Sequence, residues 1–325
     1  MGSERSTSPP QEAGADQVVR QCGLLKPGER ALIIFDRRTS EVADLLFRKA
    51  KAITSSVEVV EVPAQKIHGQ EPPSAVSEAM KSVDLVMGVT FLSMAHTQAR
   101  IEAARVGARY LSLPEYSMDL LADEALTVDF TKGGELAKFV SDTFTNGREV
   151  HVTTPLGTDI RMNIEGRIGN CCPGYVDHPG ALGSPPDIEA NISPVETDSE
   201  GVVVVDGSIP APDIGLLRNP VRLLVRGGRI IDIHGDRDVV AELERLFSES
   251  DPVKSRILGE CGVGLNDRAR LTGNMLTDEG AIGTMHFGFG SNATVGGQNA
   301  VSFHLDFVFR NPTLRVGSVD DFFMN

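Results

Sequence analysis

The feature that most constrains the fold is a change of pattern near residue 147. Before that point, short apolar runs alternate with segments whose apolar residues have helical spacing. The apolar runs are RALIIFD (30–36), VEVVEVP (57–63), DLVMGV (84–89) and RYLSLP (109–114). Alternation of strands and helices implies a parallel sheet with helices on its faces. We therefore expect an α/β domain over residues 16–147, preceded by a disordered tail over residues 1–15.

After residue 147, the apolar pieces are strand-like and are separated by Gly, Pro and Asp. Gly227-Gly228 lies between two of these pieces and is typical of a two-residue hairpin turn. A single helical pattern, over residues 236–250, interrupts the strands. These patterns predict a mostly antiparallel, β-rich domain over residues 148–325. The fold class is therefore α/β, with an N-terminal parallel-sheet domain followed by a β-rich domain.

The charge balance and the absent motifs exclude several classes of function. The chain has 31 Lys and Arg against 45 Asp and Glu, a net charge of −14. Phosphate backbones require basic patches, so we expect no nucleic-acid partner. No apolar run approaches the roughly 18 residues of a spanning helix, so we expect no membrane partner. The polar N-terminus lacks a signal-peptide hydrophobic region, and we expect a cytoplasmic protein. Neither a G-x-G-x-x-G segment after the first strand nor a P-loop is present.

The last third of the chain contains a candidate metal site. In a strand, His304 and Asp306 point to the same face and can share one ion. His286 lies in a glycine-flanked, strand-like piece, and two histidines with a carboxylate suit Zn²⁺, Co²⁺, Mn²⁺ or Fe²⁺. Glu260, between small residues, adds a carboxylate. Each residue also has an ordinary structural interpretation, as a solvated side chain or a core histidine. Glu196 by itself is typical of a loop carboxylate.

Three segments resemble the aminopeptidase T-like family of thermophilic metallo-aminopeptidases: GECGVGLNDRARLTGNMLTDE, GTMHFGFGSN and HLD. That family carries its metal ligands in a Gly-Glu-x-Gly-x-Gly-x-Asn segment, a Gly-Thr-x-His segment and a terminal His-x-Asp. The resemblance, which covers most of the chain from about residue 30, implies metal-ligand roles for Glu196, Glu260, His286, His304 and Asp306. Glu196 is included because NISPVE is similar to the family's Asn-x-Pro-x-x-Glu segment. Ala293 stands where the family has a tyrosine ligand, so a two-metal site would lack one ligand.

The chain also resembles the related branch of 2,5-dihydroxypyridine 5,6-dioxygenases, which are Fe(II) ring-cleaving enzymes. This second resemblance rests on DSEGVVVVDG, GSNATVGG and HLDFVFRN. In the dioxygenase pattern a histidine stands at the position of Glu260 and a leucine at that of His286. The ligand set thus favours the hydrolase, whereas the surrounding sequence favours the dioxygenase.

These resemblances give three functional hypotheses. The first is a metal-dependent hydrolase that cleaves an amide bond in a small molecule or short peptide, using water activated by one or two Zn, Co, Mn or Fe(II) ions. His286, His304 and Asp306 would hold the principal ion, while Glu196 and Glu260 would hold a second ion or one of them would act as the catalytic general base. The alternative is an Fe(II)-dependent dioxygenase that opens a hydroxylated N-heterocycle. The third is a structural metal site in a non-enzymatic assembly component. The resemblance also implies a homodimer.

Overall fold

The computed structural model describes residues 7–317 and 322–324, and its internal contacts divide the chain into two compact units. The first unit comprises Met1–Phe130 with Gly174–Pro185, and the second comprises Thr131–Pro173 with Pro186–Asn325. The division therefore falls at Phe130, whereas the sequence suggested residue 147. The helix that follows Phe130 belongs to the second unit because it packs there, where the backbone of Gly133 lies against the Ile188 side chain.

Eight α-helices are described: α1 (Pro9–Gln17), α2 (Ser40–Lys51), α3 (Ser74–Met80), α4 (Gln98–Arg105), α5 (Met118–Leu121), α6 (Phe130–Asn146), α7 (Arg237–Ser248) and α8 (Met275–Asp278). Helix α1 occupies part of the segment expected to be a disordered tail, of which residues 1–6 lie outside the described residues. Pro9 at the first helical position and the Gln11 side chain, which accepts a hydrogen bond from the Ser8 amide at 2.8 Å, explain its start. Among the described residues, no helix is long and apolar enough to cross a membrane.

The strands of the first unit are β1 (Ala31–Phe35), β2 (Val57–Glu61), β3 (Leu85–Val89), β4 (Arg109–Ser112) and the short β8 (Leu182–Gly183). They form one parallel sheet in the order β2-β1-β3-β4-β8. Strands β3 and β4 are buried along their whole length, as expected for strands covered by helices on both faces. The predicted parallel α/β region is therefore confirmed.

The strands of the second unit are β5 (Glu149–Thr153), β6 (Asp159–Asn163), β7 (Asn170–Cys172), β9 (Glu189–Ile192), β10 (Ser199–Val205), β11 (Ser208–Ile209), β12 (Gly215–Leu216), β13 (Val221–Arg226), β14 (Arg229–His234), β15 (Leu258–Gly264), β16 (Thr284–Gly290), β17 (His304–Arg310), β18 (Thr313–Gly317) and β19 (Phe322–Met324). They form two antiparallel sheets, which confirms the predicted β-rich region. The first sheet has the order β14-β13-β10-β6-β5-β18-β19. Its β13–β14 turn is formed by Gly227 and Gly228, both at positive φ, as a primed hairpin turn requires.

The second sheet of this unit, in the order β12-β11-β17-β16-β15-β9-β7, positions the candidate site. Strand β16 lies between β15 and β17, and alternate residues of β16 and β17 face a buried aromatic layer. In that layer, the Phe287 and Phe309 rings are 5.0 Å apart and the Phe289 and Phe307 rings 5.3 Å apart. The apolar face fixes the register, because a slip of one residue would exchange the two faces. The remaining alternate residues must therefore lie together on the opposite face.

Candidate metal centre

Donor side chains from four adjacent strands share this opposite face of the second sheet. His304 and Asp306 come from β17, His286 from β16, Glu260 from β15 and Glu189 from β9. The register places Gly262 opposite His286, and Gly288 opposite both Glu260 and Asp306. Four of the five sequence-predicted residues thus lie side by side.

The donors form two groups that share Glu260. One group is Glu260, His304 and Asp306; the other is Glu189, Glu260 and His286, and within each group the ligand atoms lie within 4.8 Å of one another. His304 Nε2 is 3.2 Å from Asp306 Oδ1 and 3.4 Å from Glu260 Oε2. His286 Nε2 is 3.2 Å from Glu189 Oε2 and 3.8 Å from Glu260 Oε1. Glu260 therefore directs one carboxylate oxygen towards each histidine.

The backbone fixes the orientation of the His304 ring. His304 Nδ1 lies 2.8 Å from the carbonyl oxygen of Ser291. A carbonyl can only accept, so Nδ1 carries the proton and Nε2 is the nitrogen available to a metal ion. Metal-binding histidines usually donate their second N–H to such an acceptor. The ring is therefore held in the tautomer that metal binding needs.

Two glycines make room for the donors. A Cβ atom at Gly262 would lie 2.1 Å from both Cε1 and Nε2 of His286. A Cβ atom at Gly288 would lie 2.6 Å from Cε1 of His304 and 2.9 Å from Oδ1 of Asp306. Each imidazole thus occupies the space that a side chain on the neighbouring strand would fill. This explains why a strand interior contains glycine where larger residues would stabilise the sheet.

The charges of the metal-free cluster are strongly coupled. Burial alone would lower the pKa of His286, but the Glu189 and Glu260 carboxylates outweigh it and raise the pKa to about 9. Burial is likewise outweighed at His304, where Asp306 and Glu260 raise the pKa to about 10. Burial would raise the pKa of Asp306, but His304 holds it well below its usual range. Without metal, the histidines are therefore protonated, and a bound ion would replace those protons.

Glu189 differs from the other carboxylates. Its burial raises its pKa to about 7, with His286 opposing the shift and Glu260 adding to it. A carboxyl group with a pKa near neutrality can accept or donate a proton at physiological pH. The site therefore contains a potential acid–base group beside its metal donors.

The donor set fits a divalent metal ion. Glu189 Oε2 is buried without a hydrogen-bond partner and lies 3.2 Å from His286 Nε2, the ring nitrogen that faces the group, so a cation there would satisfy a buried oxygen that is otherwise costly. Carboxylate and imidazole donors suit Zn²⁺, Mn²⁺ and Fe²⁺. Among the described residues, each group of three donors contains at most one histidine. The sequence-based set of His286, His304 and Asp306 around one ion is therefore not among these groups.

Glu196 lies apart from these groups, which corrects its expected role as a metal ligand or general base. Its carboxylate pairs with Arg167 at 2.5 Å and accepts hydrogen bonds from the Asn292 side chain at 2.9 Å and the Gln298 amide at 2.6 Å. Burial would raise the pKa of Glu196, but these hydrogen bonds lower it below its usual value. Its oxygens are occupied by structural contacts.

Sequence reasoning missed three carboxylates near the site: Asp187, Glu189 and Glu279, which form a third group of potential donors. The resembling aminopeptidase family has a tyrosine ligand at the position of Ala293. Here Glu189 gives the His286 group its third donor, so that group has three donors without the tyrosine. The sequence could have indicated two of these carboxylates, because Asp187 and Glu189 are separated by one residue, as His304 and Asp306 are. Nothing local to Glu279, just after α8, distinguishes it from a surface glutamate.

The two-unit fold and the buried carboxylate–histidine cluster define a metalloenzyme with its donors on an antiparallel sheet. The family described as NicX, 2,5-dihydroxypyridine 5,6-dioxygenase, matches residues 15–321. The chain belongs to this family. A solved 2,5-dihydroxypyridine dioxygenase from Pseudomonas putida KT2440 has a similar fold, with 21% identity, a TM-score of 0.81, and coverage of 94% of this chain and 93% of that one. AmpT from Thermus thermophilus is also similar in fold, with 15% identity, a TM-score of 0.70, and coverage of 97% of each chain. No functionally curated protein matches the chain.

Proposed function

We propose that this chain is an Fe(II)-dependent dioxygenase that opens the ring of a hydroxylated N-heterocycle. The observation that carries the proposal is the match to the dioxygenase family over residues 15–321, which includes every donor of the site. This choice reverses the preference for a hydrolase that the ligand residues alone suggested.

The group around His304 is the better candidate for the catalytic ion. Glu260, His304 and Asp306 would hold the ion, which when bound would bring O₂ and the substrate together. The His304 side chain is 33% exposed, whereas Glu260 and Asp306 are buried, so His304 marks the open side of the group. Three protein donors leave coordination positions for the substrate.

The remaining side chains supply proton transfer and orientation. A hydroxylated heterocycle must lose a hydroxyl proton to become an electron-rich chelating anion. Glu189, whose pKa is about 7 in the metal-free cluster, could accept that proton as long as no cation binds its carboxylate. The Ser291 carbonyl keeps His304 Nε2 directed towards the ion.

A specific observation favours a second candidate, metal-dependent hydrolysis of an amide. Glu260 belongs to two donor groups, and each group offers one histidine and two carboxylates. Hydrolases with two metal ions place them about 3.5–4 Å apart, with shared ligands and an activated water. Many Fe(II) oxygenases instead use two histidines and one carboxylate on one ion. The donor set therefore favours the hydrolase, whereas the family match favours the dioxygenase.

Oxygen consumption separates the two candidates. Protein reconstituted anaerobically with Fe²⁺ would be mixed with 2,5-dihydroxypyridine, and O₂ uptake followed with an electrode. The dioxygenase proposal expects uptake that follows ring opening and is lost in His304→Ala. His234→Ala is the matched control, because the His234 side chain is exposed and, within the described part of the chain, forms an ion pair with Asp232 alone. Ring opening at full rate without O₂, or amide cleavage by the Zn²⁺ form with no O₂ uptake by the Fe²⁺ form, would overturn the proposal.

A further inference from the structure

The third donor group, Asp187, Glu189 and Glu279, differs from the other two because it contains only carboxylates. The ligand atoms of the three side chains lie within 4.8 Å of one another. Asp187 and Glu189 are 6% and 5% exposed, and Glu279 is partly exposed. Three carboxylates this close in a buried setting repel one another and cannot all be ionised without compensation.

The described structure provides little compensation for this charge. Asp187 Oδ1 and Glu189 Oε2 are buried without a hydrogen-bond partner. Asn191 donates one hydrogen bond to Glu189 Oε1 at 2.7 Å. Among ion pairs within residues 7–317, these three carboxylates have one partner, His286, which lies beside Glu189. Glu189 Oε2 faces His286 Nε2 at 3.2 Å, whereas Asp187 Oδ1 has neither a hydrogen-bond partner nor an ion-pair partner among the described residues. A buried, unpartnered carboxylate oxygen in a group of three carboxylates indicates a missing positive ligand.

The backbone is also shaped around Asp187. A Cβ atom at Gly280 would lie 2.7 Å from Asp187 Oδ1 and 2.9 Å from the Ile188 amide nitrogen. Gly280 thus leaves space beside the unpartnered oxygen. The Gly280 carbonyl accepts a hydrogen bond from the Asn266 amide at 2.7 Å, which fixes this backbone segment.

We propose that Asp187, Glu189 and Glu279 form a separate site for a hard divalent cation of the Mg²⁺, Mn²⁺ or Ca²⁺ class. Such ions prefer oxygen ligands and complete their coordination with water, whereas the histidine-containing groups suit borderline metals such as Zn²⁺ and Fe²⁺. Because Glu189 belongs to both this group and the His286 group, a cation here also fixes Glu189. The proposal holds whether the enzyme oxidises or hydrolyses its substrate, but a cation here would keep Glu189 ionised and bound, so Glu189 would then not serve as a proton acceptor.

Calcium binding tests the proposal without any activity assay. Metal-free full-length protein would be titrated with Ca²⁺ by calorimetry, since Ca²⁺ has little affinity for imidazole. We expect saturable binding of one Ca²⁺ per chain, weakened at least about tenfold in Asp187→Asn, because losing even an outer-shell partner costs about 10–100-fold in metal affinity. Asp213→Asn is the matched control, because Asp213 is exposed and outside the donor groups.

Two further variants locate the site. Glu279→Gln should also weaken Ca²⁺ binding at least about tenfold, as expected for a ligand, and circular dichroism would show whether each variant is folded. His304→Ala should bind Ca²⁺ as the unaltered protein does. Absence of saturable Ca²⁺ binding overturns the proposal. So does binding that is lost in His304→Ala but retained in folded Glu279→Gln, because the ion would then occupy the His304 group.

Discussion

Gly262→Ala is the sharpest test of the metal centre, because it adds a single methyl group on the strand beside His286. The new Cβ would lie 2.1 Å from two atoms of the imidazole, whereas ordinary contacts begin at 3.4 Å. The ring would have to move by more than about 1 Å, and a misplacement of that size can cost on the order of 10²-fold in activity. Overpacking a buried strand also costs about 1–3 kcal/mol of folding free energy.

The assay measures metal affinity and stability separately. Zn²⁺ affinity would be determined by competition with a chromophoric chelator, and the free energy of unfolding by urea titration of the metal-free protein. We expect Zn²⁺ binding to the His286 group to weaken by about 10–100-fold. Gly317→Ala is the matched control, since a Cβ there would meet no atom closer than 3.8 Å. Wild-type Zn²⁺ affinity in folded Gly262→Ala would refute the assignment of His286 as a ligand.

Three further predictions concern Glu196, Asp36 and the metal itself. Glu196→Ala should lower the free energy of unfolding by about 1–3 kcal/mol, because Arg167 loses its carboxylate partner and retains the hydrogen bond to the Gly296 carbonyl. Metal content by elemental analysis should not change, and a lost ion would restore Glu196 as a ligand. Burial raises the pKa of Asp36, but hydrogen bonds from the Phe91 amide and Arg38 lower it more. The ionised carboxylate therefore stabilises the fold above the unfolded pKa near 3.8, and this stabilisation is lost as the pH falls through the lower pKa of the folded state. Asp36→Asn should therefore be less stable than the unaltered protein at about pH 7 and more nearly equal to it at about pH 3 by calorimetry, whereas an equal deficit at both pH values would contradict this linkage. Zn²⁺ at 100 times its Kd should stabilise the metal-free protein by about 2.7 kcal/mol, which a higher Tm would show. Equal stabilisation of His304→Ala would argue against binding at the His304 group.

Local periodicity was sufficient to predict the parallel and antiparallel regions of the fold and the His304–Asp306 pair of the site. The spacing of His304 and Asp306 places both on one face of a strand whatever its neighbours are, and the structure has them there. Glu189 could not be found in this way, because its proximity to His286 depends on β9 pairing with β15, a contact between segments far apart in sequence. Glu196 shows the opposite failure: its motif resembles a ligand segment, but Arg167 and Asn292 already occupy its oxygens.

The differences at the domain boundaries have physical reasons as well. Helix α6 ends at Asn146, where the sequence pattern changes, but its buried face packs within the second unit, and packing determines which unit a helix belongs to. Helix α1 lies in a polar segment with little hydrophobic periodicity, which is why the segment was predicted to be a disordered tail. The return of Gly174–Pro185 to the first unit depends on β8 pairing with β4, which no local pattern reveals.

The position of Glu260 between two histidines has a consequence for how enzymes of this fold could diverge. A carboxylate has two oxygens and can bind two ions at once, but an imidazole offers only one nitrogen in a given direction. With glutamate at residue 260, one side chain could join two ions. With histidine there, as in the dioxygenase pattern, the two donor groups would lose their common member. Substitution of this one residue could thus change the number of ions that the sheet holds, without any new donor from another strand.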